Sequence, residues 1–205
     1  MLKRFAMIAT FAALSGCGGA STDPQNSFAA PGASFATPDS DGLFPNDLIF
    51  FDGSPVRAFN GNGFSYQVGA TTDGIVARAG LIPNARVASA PDDTTVVIPS
   101  IITARSADAA TPDASSLSVA LIDLTADFSA GTLTGAATTN AQNGDTTSFA
   151  VSGRMSDGLL SGDVTFDGID GSLAGLIGAD EVLGAFQGVD GDRVMAGGIT
   201  RQRPN

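Results

Sequence analysis

Two carboxylate pairs have spacing that could do hydrolytic chemistry, Asp167 with Asp170 and Asp190 with Asp192. Two carboxylates suffice for glycoside cleavage, one as acid and the other as base or nucleophile. Both pairs sit in Gly-rich stretches, where Asp forms tight turns through its side-chain oxygen, and turn-making is the reading adopted. Asp39-Ser40-Asp41-Gly42 followed by Asn46-Asp47 offers oxygen ligands at the short spacing calcium uses. It lacks the full EF-hand pattern and the bidentate glutamate, so a solvated loop accounts for it. The chain has no histidine, which removes Ser-His and Cys-His nucleophiles, imidazole metal ligands and an axial haem histidine. No catalytic residue, cofactor or metal is therefore expected, and the chain reads as a non-enzyme.

The single thiol points to another kind of chemistry. Lys3 and Arg4 precede an apolar run, Phe5 to Leu14, too short to span a bilayer permanently. The run ends in Leu14-Ser15-Gly16-Cys17, which resembles the lipobox of bacterial lipoproteins, where cleavage precedes the cysteine and the cysteine receives the lipid. A lone cysteine has no internal disulfide partner, and an odd one in a secreted chain calls for another explanation. Lipidation of Cys17 supplies it; the competing reading is an ordinary signal peptide followed by a chance cysteine. Residues 1–16 are thus expected to be a signal peptide, and the expected location is the outer membrane, lipid-anchored and facing the cell surface or the periplasm.

Behind Cys17 the chain is acidic. The net charge of -11 becomes -13 once Lys3 and Arg4 leave, and no lysine remains. That field repels nucleic acid and anionic headgroups, so neither is an expected partner, and the membrane is reached only through the anchor. Residues 17–63 are rich in Ala, Ser, Gly, Pro and Asp, with Pro24, Pro31, Pro38, Pro45 and Pro55 recurring too often for a long helix or central strand. This stretch reads as a tether, within which Leu48-Ile49-Phe50-Phe51 is apolar enough to dock as a short strand.

From residue 64 to 203 the period is two. Phe64, Tyr66 and Val68 alternate with polar or small residues, as do Thr147, Phe149, Val151 and Met155, and then Leu160, Val164 and Phe166. Further candidates are 75–80, 94–105, 118–127, 132–140, 173–177, 182–188 and 193–199. Asn143-Gly144, Asp157-Gly158, Asp167-Gly168, Asp170-Gly171 and Asp190-Gly191 carry the signal of tight hairpin turns. Neighbouring strands therefore pair in a meander, and closure removes its exposed edges. The expected fold is all-β, a single antiparallel up-and-down barrel of about eight strands over 64–203, its interior filled by side chains. One tyrosine, no tryptophan and clear polar faces argue against a membrane-spanning barrel.

Asp127-Phe128-Ser129-Ala130-Gly131-Thr132-Leu133-Thr134-Gly135 resembles the strand-turn-strand signature of the barrel domains in transferrin-binding protein B and related surface lipoproteins. The stretch Gly171 to Phe186 looks like their later signature, a glycine-rich strand and turn followed by Gly-x-Phe, and Val194 to Arg201 resembles their terminal strand. The resemblance implies Gly131, Gly135, Gly175, Gly178, Glu181, Gly184 and Phe186 as signature turn and strand positions. It also implies a solute or protein ligand, a role linked to nutrient or iron acquisition, and a surface translocator and outer-membrane receptor as partners. The glycines have a local reading too: Gly175, Gly178, Gly184 and Gly188 fall where a side chain would crowd the wall, as at bulges or bends. Glu181, the only glutamate, has turn stabilisation as one reading and ligand contact as the other.

Three classes follow: a binding module, a structural or coat lipoprotein without a specific ligand, and an enzyme. The missing histidines make the last weakest, and the resemblance favours the first. The chain has room for one barrel only, so transferrin itself is not the expected ligand.

Overall fold

The computed structural model describes residues 35–45, 48, 50–57, 62–71, 74–89, 94–140 and 146–201. Cys17, most of the tether, Asn46-Asp47 and Asn143-Gly144 lie outside these. The described elements are all strands: β1 (Phe50–Arg57), β2 (Gly63–Thr71), β3 (Gly74–Leu81), β4 (Thr95–Asp108), β5 (Thr111–Asp127), β6 (Thr132–Asn140), β7 (Thr146–Ser156), β8 (Leu159–Phe166), β9 (Ile169–Ile177), β10 (Val182–Asp190) and β11 (Arg193–Arg201). Strands β4 to β11 form a closed eight-stranded antiparallel barrel in which every strand pairs with its sequence neighbour and β11 closes on β4. The expected up-and-down barrel is what the chain builds.

Alternation produces its interior. Along β7 the burial runs strictly exposed, buried, exposed from Thr146 to Ser152, which puts Phe149 and Val151 inside and Ser148, Ala150 and Ser152 in water. Phe149 stacks on Phe166 of β8 with ring centroids 4.7 Å apart, an arrangement contributing about 0.5–1.5 kcal/mol beyond its buried area. Ile102, Leu124, Leu133, Leu173, Phe186 and Met195 extend the same core. Three glycine pairs face each other across the inner wall: Gly153 with Gly162, Gly171 with Gly188, and Gly175 with Gly184. They leave room for neighbouring side chains to lie flat; a Cβ at Gly188 would sit 2.9 Å from Met195 Cε, and one at Gly184 2.9 Å from Leu173 Cδ1.

The turns between β7 and β8 and between β8 and β9 hold Asp157-Gly158 (φ 53° and 77°) and Asp167-Gly168 (φ 49° and 77°). Both residues at positive φ define the hairpin turn whose twist matches the flanking strands. Asp170-Gly171 is not a turn. Both residues lie within β9, because the two-residue turn three positions earlier already reverses the chain and Gly171 is needed opposite Gly188. Nor do Gly175, Gly184 and Gly188 mark bulges, since the β9–β10 register is continuous through them.

The expected single barrel over 64–203 is divided by the structure. The wall begins at Thr95, whereas β1, β2 and β3 form a separate three-stranded sheet. Period-two alternation identifies a buried face without saying what covers it, and here Phe64, Tyr66, Val68, Ile75 and Ala77 cover the outside of the barrel against Leu183, Ala185, Val194 and Ala196. Strands β10 and β11 are consequently buried on both faces from Val182 to Gly188 and from Val194 to Thr200. Gly197-Gly198 makes this possible: a Cβ on Gly197 would lie 2.7 Å from Phe186 Cζ inside the barrel, and one on Gly198 2.5 Å from the Phe64 ring outside. The expected tether is likewise shortened, since residues 50–57 are strand β1, paired along its length with β2.

Candidate functional site

One end of the barrel is built from the β5–β6 turn (Phe128 to Gly131), the β7–β8 turn and the last residues of β9. A strap crosses it. After β3, Ile82-Pro83-Asn84-Ala85 makes a turn closed by the Ala85 N–H donating to Ile82 O at 3.2 Å, with Asn84 at φ 67°. Proline then a residue at positive φ is the pattern of a type II turn. The strap that follows is held at Arg86, whose N–H donates to Asn62 Oδ1 (2.9 Å) while Asn62 Nδ2 donates to Arg86 O. At Ala88 its carbonyl lies against Gly178, where a Cβ would collide with it.

Strap and turns enclose a cleft of about 790 Å³, a size that suits a small molecule. Its lining is apolar and polar in equal measure, Phe128, Met155, Leu159 and Leu176 on one hand and Arg86, Ser156 and Asp157 on the other. Leu159 is one of few large apolar side chains left exposed. Chemically this is a place to hold an apolar body bearing one anionic or accepting group, because a guanidinium presents several fixed donors.

The sequence-derived candidates fall elsewhere. Asp167 and Asp170 lie at the opposite end of the barrel. Asp167 pairs with Arg193 (Oδ2 to Nη2, 3.1 Å), and Asp170 Oδ1 accepts from Thr165 Oγ1 at 2.7 Å. Asp190 and Asp192 flank Gly191 in the β10–β11 turn, where Asp192 O accepts from Ala109 N at 2.8 Å. Asp39 folds its own loop, its Oδ1 accepting from the N–H groups of Asp41 (2.9 Å) and Leu43 (2.8 Å). Among the described residues no three His, Cys, Asp or Glu side chains are grouped to hold a metal.

The signature positions are distributed. Gly131 (φ 65°) ends the β5–β6 turn and lines the cleft. Asp127 caps that turn, accepting from Ser129 Oγ (2.7 Å) and Ala130 N (2.9 Å). These bonds, the Ser129 hydroxyl foremost, hold its carboxyl below the usual range. Gly135 faces inward on β6, where a Cβ would lie 2.6 Å from Leu124 Cδ2. Gly178 supports the strap and donates to Glu181 O at 2.8 Å. Asp180, beside Glu181, pairs with Arg201 at 2.5 Å. Gly175 and Gly184 face each other, and Phe186 is fully buried in the core. Sequence reasoning missed Asn62, Arg86 and the strap. Pro83-Asn84 was the available signal, a turn dipeptide directly after an alternating run.

The fold and its end cleft define a strapped eight-stranded barrel with a ligand-sized opening. No family model matches the sequence, and no curated protein sequence matches it. Solved structures similar to the chain include two of one receptor. HpuA from Kingella denitrificans in complex with human haemoglobin shares 16% identity, with 70% of this chain and 55% of that chain covered and a TM-score of 0.39. The apo haemoglobin receptor HpuA from the same organism shares 15%, with 73% and 58% covered, also at 0.39. The chain thus spans little more than half the length of these proteins.

Proposed function

We propose that this chain is a lipid-anchored, non-catalytic binding module of the bacterial outer membrane, tied to the bilayer through Cys17 and taking a small amphipathic solute at the strapped end of its barrel. The cleft carries the reading: it is of ligand size, its lining is divided between apolar side chains and polar groups, and it holds a single guanidinium, Arg86, at a fixed backbone position. Signature residues Gly131 and Gly178 support it by shaping the turn and the strap. The outer-membrane receptor and surface translocator implied by the transferrin-binding resemblance belong to the same proposal, as does a role in nutrient acquisition.

Calorimetric titration with medium-chain carboxylates and the matching alcohols tests the cleft. Saturable carboxylate binding is expected, weakened roughly tenfold in Arg86→Ala while alcohol binding stays constant. No saturable binding to either series would overturn the assignment. The anchor is tested separately, since Cys17→Ser should release the chain from the membrane fraction. Retention of the Cys17→Ser chain after a high-salt wash would sink that part.

A further inference from the structure

The strap across the barrel end rests on two supports. The first is Asn62, buried just before β2. Its amide oxygen accepts from the Arg86 N–H at 2.9 Å, and its amide nitrogen donates to the Arg86 carbonyl. One side chain thus exchanges both bonds with one backbone residue, as a facing residue does in an antiparallel ladder. The second support is Gly178, directly after β9. Its backbone lies outside the left-handed region, so conformation does not demand glycine there. Space does. The three atoms a Cβ would meet are the carbonyl oxygen, carbonyl carbon and nitrogen of Ala88, the carbon at 3.1 Å. All are main chain, and an ordinary carbon–oxygen contact is about 3.3 Å, so any larger residue would push the strap back by about 1 Å.

The strap between these supports alternates. Ala85 and Val87 pack against the cluster beneath the three-stranded sheet, while Arg86 and Ala88 are exposed. Further on, the Thr94 carbonyl accepts from the Phe128 N–H at 2.9 Å, which ties the start of β4 to the β5–β6 turn. The cleft has the strap as one wall and Phe128, Leu159 and Leu176 on the other side. Its width is therefore fixed by where Asn62 and Gly178 hold the strap.

We propose that Asn62 and Gly178 are positioning residues that set the width of this cleft and, through it, the girth of the apolar tail that the cleft accepts. The proposal rests on the solute-binding reading above and adds its selection rule. A carboxylate with an unbranched tail is taken, and one whose tail is thicker than the gap is refused. Contacts fall away steeply with distance, a gap of about 0.5–1 Å forfeiting a quarter to a half of the attraction. One methylene in an apolar pocket changes affinity by about tenfold or more. A wall displaced by about 1 Å therefore changes which tails are bound.

The test uses the full-length chain and two carboxylates of equal carbon number, one straight and one ending in a tert-butyl group. The readout is the ratio of their dissociation constants, from which the shared contact with Arg86 cancels. The wild type is expected to favour the straight tail by about tenfold or more. Gly178→Ala and Asn62→Ala should each bring the ratio to within roughly twofold, and Asn62→Ala should also speed exchange of the Arg86 amide by roughly a hundredfold. The two substitutions lie at different places in the fold, so loss of folding in one leaves the other to decide. A ratio unchanged in the folded variants, or a wild type indifferent to tail girth, overturns the width assignment and leaves the cleft as a binding site. Binding of neither carboxylate by the wild type overturns both readings. A wild-type Arg86 amide that exchanges as fast as a free one removes the first support and overturns the proposal whatever the ligand data.

Discussion

The barrel wall has two sectors of opposite character. Strands β10 and β11 are buried on both faces, with Phe186 and Met195 inside and Leu183, Ala185, Val194 and Ala196 under the three-stranded sheet. Strands β4 and β5 have a buried inner face and an outer one that the sheet covers only at Arg105, Ala107 and Ser115, leaving Leu121, Val119 and Val97 in solvent. Both sectors use small residues and period-two alternation, yet only one is sandwiched. The difference teaches that one alternating pattern serves a wall strand whether its outer side chains are covered within the chain, as at β10–β11, or left in water, as along part of β4–β5.

The sharpest way to break that contrast is Phe64→Ala. The ring is fully buried against Gly198, so its removal should cost about 3–5 kcal/mol. Leu121→Ala, equally apolar, should stay within about 0.5 kcal/mol because its side chain is already in water. Urea midpoints at constant slope measure both, and equal losses would show that the bare sector is covered in solution. Next comes Asp52→Ala. It removes the carboxylate partner of the largely buried Arg105, and leaving a guanidinium with fewer acceptors should cost about 1–2 kcal/mol. Since Asp52 lies on β1 and Arg105 on β4, faster amide exchange in β1 than in β10 of this variant would place the loss at the sheet's margin.

Native-state hydrogen exchange sharpens the comparison without mutation. Strand β5 has ladder partners on β6 only at Thr125, Ala126 and Asp127, so residues 115–124 should include amides exchanging roughly a thousandfold faster than those of β10, whose ladder is complete on both sides. Uniform protection would mean that β5 is hydrogen-bonded to β6 beyond Thr125.

The smallest effect is at the Asp127 turn, where β5 finally joins β6. Its carboxyl is lowered in the folded chain by the Ser129 and Ala130 bonds. The resulting stability is present above the unfolded carboxyl value of about 3.9 and is lost as pH falls through the lower folded one. Asp127→Asn should therefore lower the urea midpoint slightly at neutral pH, the gap to wild type closing as the pH falls through the lowered folded value. A gap independent of pH would assign the effect to shape rather than charge.

Much of the wall was legible from residues alone. The Thr147-Phe149-Val151 alternation and the Asp157-Gly158 and Asp167-Gly168 turns define β7, β8 and the start of β9, because local sterics and one buried face determine them. The destination of Phe64 to Leu81 was not legible, since the same alternation serves a barrel wall or a sheet laid upon it. Asp170-Gly171 misleads because the need for glycine there arises from Gly188 on the next strand, a partner that local chemistry does not reveal. The cleft depends on Asn62 reaching across to Arg86, a contact between residues with no shared motif.

The order in which strands meet has a consequence for a chain handled from one end to the other. Strand β4 waits for β11, its closing partner. Strands β2 and β3 find most of their seat on β10 and β11. The earliest strands to emerge thus depend on the last, and pairing across such separations is slow compared with making a hairpin. A chain threaded through a narrow passage in this order stays unclosed until residues near Arg201 have followed, so its own topology keeps it pliable for the length of the journey.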